Sequence, residues 1–522
     1  MTDILLFNQY FTSTQKDPDI ITVSNRPINL LHLATYLNHK GMDCKIFELG
    51  IINEKDIIVQ KSRVRCGLSD KKITEIIKQN KPKIIGIGCM YSRHYIDVIA
   101  IAKLIKKVDS LIQVVVGGNH ATSFYDKVLM DKSIDFVVIG EGEITFHELC
   151  SEIGSKKNNF KAIKGIAFRG NNGEIIKTTD RELIANLDDL PMIDNSLVDT
   201  KKYAQQSYKS PFLMRYPSIA IMSSRGCPGK CIYCTVKSVW GRTWRGKSPE
   251  RTVDEIESLQ KEYGIKEFSF LDDSCSVNRK RWLAICDEII RRNLNIRWTT
   301  PNGIAHWTLD KTILDKMKKA GCYRVTFGIE SGNKETRKFL GKPYPLAQAK
   351  EMLEYANKIG MWTICTHILG FPYENKESIE DTIKFAKQGG ADFVTFFMLL
   401  PLPTSEVYKY FKKEGLLNFD DIWELNNFDE KKYEEMNRIV NDGGAPTMHF
   451  TGEELKAIQL RAYRSFILYR AFTYLNPLKI LCKIRSVEDF KYTVRLFCKG
   501  VKILFNTIKP STSKTTEELL YD

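Results

Sequence analysis

A chain of 522 residues is too long for one ordinary core, so two or three domains are expected. Hydrophobic content of 43% beside 27% charged residues excludes a disordered chain, and no apolar run reaches the ~18 residues a membrane span needs. The formal net charge of +15 favours an acidic partner without choosing among nucleic acid, an anionic lipid surface and an acidic electron donor. The 13 cysteines are odd in number and scattered apart from one triplet, which suits a reducing cytosol better than a secreted disulfide framework. The opening "MTDILLFNQYF" lacks a basic n-region and a long apolar h-region, so no signal peptide is expected.

Short apolar runs and helix-period stretches alternate through residues 1–155. "ILLF" from Ile4 leads to "INLLHLATYLNHKG", "CKIFEL" to "KITEIIKQN", and "KIIGIGCM" to "YIDVIAIAKLIKK"; "QVVVGG" and "DFVVIGEGE" follow, the latter running into "ITFHELCSEI". Repeated β-α units with nearly continuous Val/Ile strands predict a doubly wound, Rossmann-like parallel sheet. Such sheets bind ligands at the carboxyl ends of their strands. Here those ends carry Cys89 to His94, "GGNHAT" from Gly117 to Thr122, and "GEGE" from Gly140 to Glu143.

Residues 156–216 are read as a linker segment with some local structure, the pattern lapsing into "LDDLPMIDNSLVDT". Alternation restarts over 217–440. Six strand-like runs, "SIAIMSS", "EFSFLDD", "IRWTTPN", "RVTFGIES", "WTICTHILGFP" and "FVTFFMLLPLP", are separated by amphipathic helices, several of which end in Gly. Six β-α units fit a partial (β/α)6 barrel, with a second open sheet as the alternative. Residues 441–522 read as a helical, aromatic and basic C-terminal region whose end, "KPSTSKTTEELLYD", is expected to fray.

The triplet lies in "SSRGCPGKCIYCTVK", just after the first strand of the second set. Cys227, Cys231 and Cys234 are three thiols in eight residues with no fourth beside them. Four thiolates normally hold a four-iron cluster, so three leave one iron with an exchangeable position. A zinc site borrowing a distant His or Cys, and a purely electron-transferring cluster, remain as alternatives.

The Cys-x-x-x-Cys-x-x-Cys spacing, with Tyr233 before the last cysteine, resembles the radical S-adenosylmethionine (SAM) superfamily. The resemblance implies that SAM chelates the open iron of a [4Fe-4S] cluster held by Cys227, Cys231 and Cys234. Reductive cleavage then yields methionine and a 5′-deoxyadenosyl radical. It also implies SAM contacts, the first of them Tyr233. "FLDDSCSVN" resembles the segment near the SAM amino group, with Asp272 or Asp273 where Gly-Gly-Glu is more usual; capping of the following helix is the alternative for this pair. "GIESG" resembles the segment that binds ribose and carboxylate, making Gly328, Glu330 and Ser331 candidates, with a solvated ion pair the alternative for Glu330. "HILGFP" resembles the segment that packs on adenine, and "PLPTSEVY" a Pro-Gly-Thr segment that here lacks its glycine.

A doubly wound domain ahead of such a barrel resembles the cobalamin (B12)-binding branch of that family. "PINLLHLATYLNHKG", "VVVGGNHAT" and "DFVVIGEGE" carry the likeness. They imply cobalamin contacts from Ser92, Gly117, Gly118, Asn119, His120, Gly140 and Glu141. The Asp-x-His-x-x-Gly motif that supplies a histidine to cobalt is missing from "TSTQKDPDIITVSNRP", leaving His94 and His120 as replacements or as structural histidines. The combination implies a C-methyltransferase acting on an unactivated carbon, with a cobalamin-dependent cyclase or rearrangement enzyme as the alternative. It also implies a low-potential electron donor of flavodoxin or ferredoxin type. The basic aromatic tail fits two readings: helices lying on an anionic membrane surface, with a hydrophobic substrate, or an aromatic core packed on the barrel. No RNA-binding module is visible, so nucleic acid is not an expected partner. A cytoplasmic protein, peripheral to the membrane on the first tail reading, is expected.

Overall fold

The five apolar runs of the front half become the strands β1 (Ile4–Asn8), β2 (Cys44–Glu48), β3 (Ile84–Gly88), β4 (Gln113–Gly117) and β5 (Phe136–Val138) of one sheet in the computed structural model. The structure describes residues 3–13, 26–50, 57–60, 63–155, 157–210, 212–417, 444–474 and 478–508. Two compact units emerge among them. The first runs to Tyr203 and takes in Val236–Gly241; the second holds Ala204–Thr235 and the described residues from Arg242 onward.

In the first unit the parallel order is β2-β1-β3-β4-β5. The strands read as continuous apolar runs because both faces are covered. Helices Ile28–His39 and Gly142–Ser155 pack Leu30, Leu37, Phe146 and Leu149 against Ile4, Leu6 and Val115. Asp70–Asn80 and Tyr95–Val108 pack Ile73, Val98 and Ile101 against Leu5, Phe7 and Val114 on the other side. Strand order reverses between β1 and β3, so the ligand crevice of such a sheet lies at their carboxyl ends. Part of the segment 156–216 extends the sheet: β6 (Ile166–Arg169) pairs antiparallel with β5, and β7 (Ile175–Lys177) antiparallel with β6.

The six runs of the second set become β8 (Ser218–Ile221), β9 (Glu267–Phe270), β10 (Arg297–Ile304), β11 (Cys322–Glu330), β12 (Trp362–Leu369) and β13 (Phe393–Met398). They pair in chain order, all parallel, with β8 and β13 at the edges, the topology of a partial (β/α)6 barrel. Outward residues such as Phe268, Trp298, Val325 and Phe327 join one core with Trp282, Ile285, Met317 and Leu353 of the surrounding helices. Helices Pro249–Tyr263, Arg279–Arg291, Lys311–Lys319 and Lys376–Gln388 are capped by Ser248, Asn278, Asp310 and Asn375, each side chain accepting a backbone N–H of the first turn. Each cap contributes ~1 kcal/mol.

The C-terminal helix Val487–Ile508 closes the end of the barrel opposite the cysteine loop. Tyr492 is fully buried against Tyr323 and Trp362; its hydroxyl donates to Phe212 O at 3.0 Å and accepts from Arg324 Nη1 at 3.1 Å. Glu488 pairs with Arg215 and Arg297, each through a 3.0 Å contact. One face of the tail is therefore core, as the packed reading expected. The other face exposes Val487, Phe490, Val494 and Phe497, spaced as one helical stripe. No helix among the described residues is long and apolar enough to cross a membrane. The segment 14–25, with its missing histidine motif, and the end expected to fray lie outside the described residues.

Candidate functional site

The cysteine loop leaves β8 under the control of two aspartates. Asp272, almost fully buried, accepts hydrogen bonds from Ser223 N at 3.1 Å, Ser223 Oγ at 2.7 Å and the Ser224 hydroxyl. Asp273 accepts from Gly226 N at 3.1 Å; burial pushes its carboxyl above the ordinary range, and that N–H opposes the rise. Neither caps the following helix, since Asn278 does. The pair anchors the start of the loop to the end of β9.

The thiols of Cys227, Cys231 and Cys234 are half-buried, whereas Cys44, Cys66, Cys89, Cys150, Cys275, Cys286, Cys322 and Cys365 are buried like small apolar side chains. Gly229 N donates to Cys227 Sγ at 3.4 Å. A Cβ at Gly229 would stand 3.2 Å from Cys227 Sγ and 3.8 Å from Cys231 Sγ. Among the described residues no three His, Cys, Asp or Glu side chains gather around a single ion, as a mononuclear zinc site requires. A cluster makes no such demand, because each thiolate binds its own iron. Three accessible thiols on a loop with a glycine between them therefore fit a [4Fe-4S] cluster.

Glu330 meets this loop from the end of β11. A bulge between Gly328 and Glu330 breaks the β11–β12 register, and Glu330 adopts φ +66°, a left-handed conformation unusual for a non-glycine residue. Its buried carboxylate accepts from Tyr233 Oη at 3.0 Å and Lys342 Nζ at 2.6 Å through one oxygen, and from Thr366 Oγ1 at 3.3 Å through the other. It is thus a buried, triply hydrogen-bonded group and not a solvated ion pair. Gly328 leaves room beside it: a Cβ there would lie 3.0 Å from Glu330 Oε1 and 3.2 Å from Lys342 Nζ. Ser331 is fully buried, its hydroxyl 3.0 Å from Thr382 Oγ1 and accepting from Asn333 N at 3.1 Å, so it braces the turn that presents Glu330.

Lys342, Thr366 and Gly341 belong to this constellation although no motif pointed to them. Gly341, at φ +83°, would place a Cβ 2.5 Å from Lys230 O, and Leu340 O accepts from Ile232 N at 3.2 Å. The segment after helix Lys334–Phe339 thus lies directly on the cysteine loop. Nearby, Trp307 stacks on Tyr344 at 4.0 Å, 6.0 Å from Lys342 Nζ. His306 is buried beside them, and burial pushes its imidazole down to about 4.

In the first unit the residues expected to touch cobalamin all lie at the carboxyl ends of β3, β4 and β5. His120 is buried between Tyr95 and Phe124, at 4.5 and 5.0 Å, with Nδ1 2.8 Å from Ser92 Oγ. Burial pushes its imidazole down to about 3, so it stays neutral. Gly118, at φ +106°, would place a Cβ 2.7 Å from Cys89 O; the close approach it permits is to the chain's own backbone. Gly117 meets only Val138 at ordinary contact distance. Asn119 Oδ1 accepts from Ser238 Oγ at 2.9 Å, and Glu141 from Ile184 N at 2.7 Å. Gly140, at φ +76°, donates to Thr122 Oγ1 and has nothing within 4 Å of a built Cβ. That open backbone, with Met90 and Tyr91 exposed after β3, fits a bulky ligand with an apolar face.

The family model of the Radical SAM superfamily matches residues 221–386, and that of the B12 binding domain residues 21–150. The chain is 32% identical over 466 residues to an uncharacterized methyltransferase, PH0819, of Pyrococcus horikoshii, covering 89% of this chain and 91% of the relative. It is 27% identical over 450 residues to the anaerobic magnesium-protoporphyrin IX monomethyl ester cyclase of Rubrivivax gelatinosus, covering 85% and 74%. Among solved structures it is similar to TsrM of Kitasatospora setae, a radical S-adenosylmethionine methyltransferase with cobalamin and a [4Fe-4S] cluster bound. The TM-score is 0.68 at 16% identity over 88% of this chain and 91% of that one, a likeness of fold.

Proposed function

Because the chain belongs to the cobalamin-binding radical SAM family, we propose that it methylates an unactivated carbon of a small molecule, using a [4Fe-4S] cluster, SAM and cobalamin. The observation that carries this reading is the hydrogen bond from Tyr233, inside the cysteine triplet, to Glu330 at the end of β11. It joins the loop that would hold the cluster to the segment that would hold SAM.

When bound, these groups supply a carbon-centred radical and a transferable methyl group; the protein supplies orientation and exclusion of water. Cys227, Cys231 and Cys234 would hold the cluster. Glu330, fixed by Tyr233, Lys342 and Thr366, presents a preoriented acceptor for the SAM ribose hydroxyls, and Ser331 keeps its backbone in place. Asp272 and Asp273 fix the loop that would face the SAM amino group. Ser92, Gly117, Gly118, Asn119, His120, Gly140 and Glu141 shape the strand ends where cobalamin would sit, His120 as a neutral buried ring and Gly140 as open backbone.

The substrate is read as a small apolar molecule, and the electron donor as a low-potential acidic protein of flavodoxin or ferredoxin type, which the net charge of +15 would attract. The exposed stripe of the C-terminal helix, with the exposed Lys491 on the same helix, suits peripheral contact with anionic lipid. A second reading, radical cyclisation, is favoured by the cyclase relative. Incubating the reconstituted protein with SAM and a reductant is expected to yield 5′-deoxyadenosine. Replacement of Cys227, Cys231 or Cys234 by Ala is expected to abolish it; cleavage that persists in all three variants contradicts the reading. With substrate, a product heavier by one methyl group supports methylation, and a product without that gain supports cyclisation.

A further inference from the structure

The cysteine loop is accompanied by a buried cation whose charge has so far served only to fix Glu330. Lys342 is 8% exposed, with Nζ 2.6 Å from Glu330 Oε1 and 3.3 Å from Gly328 O, and 5.8 Å from the centre of the Tyr233 ring. Burial works against its charge, and the paired Glu330 carboxylate favours it.

The backbone around Lys342 allows it little else. Leu340 and Gly341 rest on Ile232 and Lys230 of the loop, and any side chain at Gly341 would strike the Lys230 carbonyl. Gly328 leaves room for the ammonium and the Glu330 carboxylate together. A lysine on a solvated helix face would have neither the burial nor the paired carboxylate.

We propose that Lys342 is a positioning residue that sets the reduction potential of the cluster through its fixed charge against the loop that carries Cys231, Tyr233 and Cys234. The inference rests on the assignment of a [4Fe-4S] cluster to the triplet. Reduction adds one electron, and hence one negative charge, to the cluster, the electron coming from a low-potential donor. A fixed cation in a poorly hydrated site stabilises that added charge and raises the potential, while a fixed carboxylate lowers it. Lys342 and Glu330 thus act with opposite signs, and removing either one unbalances the pair in a known direction.

The test is a dithionite redox titration at pH 8, without SAM, of the reconstituted full-length protein, followed by the electron paramagnetic resonance signal of the reduced cluster. Lys342→Met is expected to shift the midpoint to more negative potential, Glu330→Gln to more positive potential, and Lys342→Arg to leave it near wild type. Opposite shifts at equal iron content are not what a merely structural role produces. Unshifted midpoints in Lys342→Met and Glu330→Gln overturn the proposal. Should Lys342→Met fail to hold a cluster, Glu330→Gln decides: a positive shift supports the proposal, and no shift or a negative one overturns it. A wild-type protein that takes up no cluster overturns the functional reading itself, and the proposal with it.

Discussion

Glu330 shows how a single residue marks the site. A glutamate at φ +66° costs about 1–2 kcal/mol against a right-handed conformation, and it is held there by three hydrogen bonds to its carboxylate. The buried histidines His120, His306 and His367 show the opposite behaviour. His367 is fully buried on the outer side of β12, stacked on Phe396 at 5.3 Å, and burial pushes its imidazole down to about 3. In the unfolded chain the same ring takes a proton near ~6.5. The stability it allows is therefore complete above that pH and is lost as pH falls toward the folded value. Between pH 7 and pH 5 the loss is about 2 kcal/mol. Replacing His367 with Phe is expected to flatten the fall of the unfolding free energy, read from urea titrations, between those pH values by about that amount; an unchanged slope would contradict the assignment of a neutral, buried ring.

At the scale of elements, the strands were legible because both sheets are covered by helices, which makes "KIIGIG", "QVVVG" and "RVTFGI" nearly continuous apolar runs. The position of the triplet after β8 and the candidate Glu330 after β11 followed from that pattern and from the motif. What was not legible depends on distant partners. Nothing local in "GKPYP" says that Lys342 reaches Glu330 and that Gly341 lies on Lys230, more than a hundred residues earlier. The bulge at Gly328 to Glu330 breaks no composition rule. The hairpin of β6 and β7 was hidden because β7 is a three-residue edge strand with Ile175 and Lys177 exposed. The tail helix has an apolar residue on each face, so its period could not tell Tyr492, which is buried, from Phe490, which is not.

Two element-scale outcomes follow from these packings. Gly341→Ala puts a methyl group against the Lys230 carbonyl at a left-handed position, and is expected to lower iron incorporation several-fold and stability by roughly 1–2 kcal/mol. Iron per chain and thermal unfolding check it; full loading would show that the loop tolerates the displacement. Phe490→Glu with Phe497→Glu, on the exposed stripe, is expected to reduce co-sedimentation with phosphatidylglycerol vesicles at least several-fold while leaving the unfolding midpoint in place. Vesicle binding equal to wild type would remove the lipid contact from the reading.

At the scale of the whole molecule, two strand-end sites of different chemistry stand on one chain: a glycine-rich, partly apolar edge after β3, β4 and β5, and a cysteine loop braced by Asp272, Asp273, Glu330 and Lys342. The proposed methylation needs both to be filled. The most direct measurement is the iron and corrinoid content of the full-length protein purified anaerobically from cells supplied with cobalamin. The account predicts about four irons and about one cobalamin per chain, the former lost when the triplet cysteines are replaced. Iron without cobalamin, even after reconstitution, would contradict the two-cofactor reading and leave the strand ends of the first unit with another ligand.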